Sequence, residues 1–184
     1  MNRVTKKLVC AAMAGIIGTG LLAGCSKTID GTKALLTCGE DTVTMGTGNM
    51  MLRMNQAQME AYYGMMGGST AGIWGQDAGD GKTYAESTKD MIIQQLKNMV
   101  LLKQHAKDYD VTVTEDEEKS IEESAKAFVE ANTEEALTKL AVTQDDIENL
   151  LTLYTYQEKM YEPMTKDVDT NVEDSEAQQS KITY

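Results

Sequence analysis

The feature that most constrains this chain is the apolar face carried by residues 83–108. Ile92, Ile93, Leu96, Met99, Val100 and Leu102 recur at helical spacing in a Gly-poor stretch. A helix apolar over so broad an arc must be covered by neighbours, so it is the strongest core helix of the chain. Its start is open between Thr83 and the capping pattern Ser87-Thr88-Lys89-Asp90, and its end falls near Asp108.

The other segments supply what such a helix needs around it. Ala34-Leu35-Leu36-Thr37-Cys38, the turn Gly39-Glu40-Asp41 and Thr42-Val43-Thr44 read as a small β-hairpin. Met50, Met54, Ala57 and Ala61 give a helical stripe over 48–66, widened by Met51, Met59, Tyr62 and Met66. Residues 64–81 hold seven Gly around Ile73 and Trp74, the composition of a loop. Thr114-Glu115-Asp116-Glu117 is a capping box ahead of a narrow stripe of Ile121, Ala125, Phe128 and Val129. Thr133 opens a shorter helix with Ala136, Leu137 and Leu140 inward, and Thr143 opens another. That last helix is apolar on two faces, one with Ile147, Leu150, Leu151, Tyr154 and Tyr161, the other with Leu153, Met160 and Met164. Two apolar faces call for neighbours on both sides. Pro163 is expected to kink or end it near Glu162. The fold class is therefore mainly α, with about five helices and a small N-terminal β-hairpin.

Charge narrows the partners. Acids outnumber bases 29 to 17 over 184 residues, which argues against nucleic acid, since phosphate contacts need Lys and Arg. Residues 115–184 hold 19 acids and 6 bases, so this half should be well solvated and repel anionic surfaces. A single His, His105, leaves no His-based catalytic or soft-metal set. Asp77-Ala78-Gly79-Asp80-Gly81 fails as a calcium loop, because Thr88 stands where the twelfth-position Glu belongs. Adjacent acids such as Asp145-Asp146 sit at helix starts, where they favour the helix dipole. No cofactor, metal site or catalytic residue is indicated.

The N-terminus reads Met1-Asn2-Arg3-Val4-Thr5-Lys6-Lys7, followed by an apolar run from Leu8 to Gly24. A basic start before a short apolar stretch is a secretory signal, and the run is too short and Gly-rich for a good membrane span. It ends Leu22-Ala23-Gly24-Cys25, which resembles the bacterial lipobox. The resemblance implies a lipoprotein signal peptide over 1–24 and acyl chains on Cys25, each buried methylene adding ~0.8 kcal/mol to membrane anchorage. The polar segment 26–33 then reads, with Cys25, as a tether over 25–33. Cys10 is removed and Cys38 is the one unlipidated Cys, so free thiols cannot form an intrachain disulfide. The localisation implied is the extracytoplasmic face of a cell membrane.

A lipobox, a hairpin around Cys38-Gly39-Glu40, a helix, a Trp-bearing loop, a long helix and a helical pair follow in order. Together with AKDYDVTVTEDEE at 106–118, this order resembles the SurA-like N-terminal chaperone domain of PrsA-type foldase lipoproteins of Gram-positive bacteria. The resemblance covers roughly 34–165 and implies a chaperone domain over 34–166 that binds unfolded or newly secreted proteins. Residues 167–184, with Asp174-Ser175-Glu176 and Ile182-Thr183-Tyr184, look like an acidic linker and the first strand of a parvulin-type isomerase domain. None of the parvulin active-site residues is present, so none is carried over. Cys38 where the family usually has Asn, the Met-rich helix and the Gly-rich insertion depart from the pattern.

Under this reading the client contacts are Met50, Met54, Met59, Tyr62, Met66 and Trp74, because Met is flexible and polarisable. The plainer reading is that these Met pack the core. Two other functions stay open: the client-positioning part of a peptidyl-prolyl isomerase, and a structural lipoprotein with one fixed partner.

Overall fold

A computed structural model describes residues 29–79 and 81–166. The leader at 1–24, Cys25 and the 167–184 segment lie outside the described residues.

The described residues form a two-stranded antiparallel hairpin and five α-helices. The strands are β1 (Ala34–Cys38) and β2 (Asp41–Thr44). The helices are α1 (Met45–Met65), α2 (Tyr84–His105), α3 (Glu115–Glu130), α4 (Glu134–Leu140) and α5 (Gln144–Thr165). Short 3-10 turns lie at Ile73–Gly75 and Ala106–Tyr109. The mainly helical class and the hairpin are as the sequence predicts. Cys38 pairs with Asp41 across a two-residue loop, whose first residue, Gly39, has φ +58. That is the position a type II′ turn reserves for Gly.

Each of these five helices starts on a threonine. Thr44, Thr83, Thr114, Thr133 and Thr143 each accept a hydrogen bond from a backbone N–H of the first turn. An N-cap of this kind satisfies one orphan donor and contributes about 1 kcal/mol. Glu86, Glu117 and Asp146 complete reciprocal capping boxes with Thr83, Thr114 and Thr143. The α2 start thus resolves to Thr83 rather than the 87–90 pattern. The first helix begins at Met45, three residues before the sequence stripe suggests, because Thr44 caps it directly from β2.

Helix α5 lies at the centre, against α1, α2 and α3, which accounts for its two apolar faces. Leu96, Met99, Ile147 and Leu150 are fully buried there, with Phe128 from α3 and Met50 and Met51 from α1. A second cluster joins Met160 to Ala106 and Val111. Past Met160 the helix leaves its neighbours, so Tyr161 and Met164 are exposed rather than inward. Pro163 does not end the helix, which runs on to Thr165. In a final turn Pro forfeits only its own N–H bond, and Lys166 N–H still reaches Glu162 O at 3.0 Å.

Part of the segment 25–33, read from composition as a tether, is bonded to the body. Met45 N–H donates to Lys33 O at 2.7 Å, and Gly46 N–H donates to Gly31 O at 2.9 Å. Residues 30–33 are thereby tied to the first turn of α1.

Two ion pairs join distant elements. Lys159 of α5 holds Glu117 of α3 at 2.6 Å, and Lys103 of α2 holds Asp41 at the hairpin at 2.6 Å. Burial pushes the Glu117 carboxyl up, but hydrogen bonds from Lys159 and from Thr114 outweigh it and hold it below the usual range. Lys103, with Gln104, holds the Asp41 carboxyl low. A carboxylate with a depressed folded-state pKa adds stability above its unfolded value and loses it as pH falls through the folded value. Stability should therefore drop as pH falls below about 4, and Glu117→Gln should flatten that drop in urea unfolding series. An unchanged acid limb would refute the assignment.

Candidate functional site

The structure divides the six candidate contact residues. Met50 is 1% exposed and lies in the core, so it is not a contact surface. Met54 is half-buried and packs against the same core. Met59 is half-buried further along α1. Tyr62 and Met66 stand out at the end of α1, and between them Met65 is 89% exposed. Tyr62 and Tyr63 meet edge to face, with ring centroids 6.1 Å apart. The cause of the split is helical register: Met50 and Met51 face α5 near the start of α1, whereas its last turn extends beyond the bundle. Met65 was missed because it falls off the main stripe; the adjacent pair Met65-Met66 was the available signal.

Trp74 is also not free for contact. It is 9% exposed, and its indole N–H donates to Glu60 Oε1 at 2.8 Å. Gln56 Nε2 donates to the same oxygen at 2.9 Å, and Arg53 donates to Gln56 Oε1 at 2.8 Å. This chain of side chains on α1 pins the Gly-rich loop beside the helix. The loop turns into its 3-10 segment at Gly72, whose φ of 78 suits Gly. Glu60→Ala should leave the indole N–H unpaired and let the loop open. Since Trp74 is the one Trp of the chain, its emission should shift to the red with little change in helical signal. Unshifted emission would mean the loop is held by packing of Ile73 and Trp74 alone.

The second apolar feature is a groove of about 330 Å³ where β1, α1 and α2 meet. Leu35 and Ile29 line it. Met45, Gly48, Asn49 and Leu52 form one wall, and Lys89, Ile92 and Ile93 form the other. Gly48 admits the Leu35 side chain, since a Cβ there would stand 2.2 Å from Leu35 Cδ2. Lys89 is the groove's one ionisable lining residue, and it makes no ion pair among the described residues. The groove was not legible in the sequence, because Leu35 read as part of a hairpin strand and Ile93 as part of a core helix, with nothing to bring them together.

Among the described residues no group of His, Cys, Asp and Glu could hold a metal, and no helix is long and apolar enough to cross a membrane. Cys38 is a free, half-buried thiol 3.8 Å from Gln104 Oε1. No family model, curated protein or solved structure matches this chain.

Proposed function

We propose that the protein is an extracytoplasmic chaperone domain, held to the membrane through acylated Cys25, that binds apolar segments of unfolded secreted proteins. The observation that carries the reading is the exposed end of α1, where Tyr62, Met65 and Met66 stand together in water. Exposed apolar clusters of this kind mark interaction sites, and Met side chains adapt to many partners. Lipobox and helical order, similar to PrsA-type foldases, supply the location and the class of client. The acidic second half keeps such a body soluble while apolar surface is open.

The test is suppression of aggregation of two unrelated unfolded proteins, with circular dichroism on the same sample. Replacing Met59, Tyr62, Met65 and Met66 together by Ser should abolish most of the suppression and keep the helical signal. Saturable binding to one protein, with no suppression of either client, would favour a fixed-partner lipoprotein instead.

A further inference from the structure

We infer that β1 is a docking edge: an extended client segment adds to it as a third strand and sends an apolar side chain into the adjoining groove. This rests on the chaperone reading and names the form in which the client binds.

Among the described residues the sheet has two strands, with β1 paired to β2 alone. Among the described residues, no backbone group of 34–38 bonds to backbone outside the hairpin. The Cys38 carbonyl accepts Gln104 Nε2 at 2.6 Å, which fixes the tip of the hairpin to the end of α2. Antiparallel pairing alternates, so with Cys38 and Asp41 flanking a two-residue loop, Thr37 turns its N–H and C=O away from β2. That edge offers an unused donor and acceptor to an extended chain. Main-chain pairing supplies affinity without reading sequence, while a side-chain pocket beside the edge selects.

The pocket is at hand. Leu35 belongs to β1 and lines the groove, so the edge borders an apolar recess walled by Leu52, Ile92 and Ile93. Lys89 at this recess makes no salt bridge with a carboxylate of the described residues, although, after hydrogen bonds from Thr83, its charge helps hold the Glu86 carboxyl, one turn back on α2, below the usual range. Asp90, next to it, is taken by Lys82 at 2.6 Å. The occupant that fits is therefore an extended segment with an aliphatic side chain and a neighbouring acid, whose carboxylate meets Lys89.

The experiment is fluorescence anisotropy with the full chain in phosphatidylcholine nanodiscs. The probe is a labelled peptide alternating Leu or Ile with Ser and carrying one central Glu. N-methylation of its backbone, one amide at a time, should weaken binding about tenfold at the amide that meets the Thr37 carbonyl and little at its neighbours. Thr37→Pro should weaken the parent peptide about tenfold, whereas Thr37→Val, which keeps the N–H, should not. Lys89→Glu should reverse the preference between the Glu peptide and its Lys counterpart. Equal binding of all N-methylated peptides would overturn strand addition while leaving client binding intact. Binding untouched by Thr37→Pro, or aggregation suppression with no peptide binding, would overturn it equally. Loss of suppression in the wild type would instead remove the chaperone reading. Circular dichroism of each variant separates loss of fold from loss of the edge.

Discussion

Asp146→Ala should cost about 3–5 kcal/mol and lower the urea midpoint more than any surface change. Asp146 is 6% exposed, yet donors surround its carboxylate. Thr143 N–H and its hydroxyl each reach Oδ2 at 2.8 Å, closing the α5 capping box. From the other side the Thr44 hydroxyl, on the cap of α1, donates to Oδ1. Thr47 adds its hydroxyl to Asp146 O at 3.3 Å. Two helix N-termini thus converge on one carboxylate, where both dipoles favour negative charge. Gly46 makes the approach possible, since a Cβ there would lie 2.5 Å from Asp146 Oδ2. Truncation strands buried donors and unties α1 from α5 together. Asp146→Asn should cost less, because one oxygen remains, but its amide faces donors and cannot accept from them. A loss under about 1 kcal/mol for Asp146→Ala would show that water replaces the carboxylate and that the junction is not a structural tie.

The second large effect is a contrast within one helix. Met50→Ser should destabilise by about 3–5 kcal/mol, through lost burial, a cavity and a hydroxyl without a ready partner. Met66→Ser should change stability by under about 0.5 kcal/mol, because that side chain is already in water. Client holding should move the opposite way, with Met66→Ser weakening it and Met50→Ser acting only through the fold. Equal stability losses at both positions would mean that the end of α1 packs against something in solution.

The helices were legible because their ends are written locally. A threonine before an acid-rich turn carries its own hydrogen-bond chemistry, so the starts at 114, 133 and 143 needed no tertiary knowledge. Thr44 was missed because its box partner is absent, and its hydroxyl serves a residue over a hundred positions away. Among the contact residues, periodicity identified an apolar surface on α1 but not what it faces. Met50 and Met66 have the same chemistry, and only the position of α5 separates core from surface. Trp74 looked exposed because its loop is rich in Gly; its burial depends on Glu60, a polar residue no apolar pattern would flag. The groove depends on how β1 and α2 lie together, which no local signal encodes.

Under the proposed acylation of Cys25, the capture of Gly31 and Lys33 by α1 would set how far the body can stray from a bilayer. With Cys25 acylated as proposed, five residue steps separate it from Asp30. Fully extended they span about 18 Å, barely more than the radius of gyration of about 14 Å expected for a body of this size. Such a leash allows rolling on the membrane but little travel above it. Under that proposal Ile29, at the groove, would stay within about one body radius of the lipid surface.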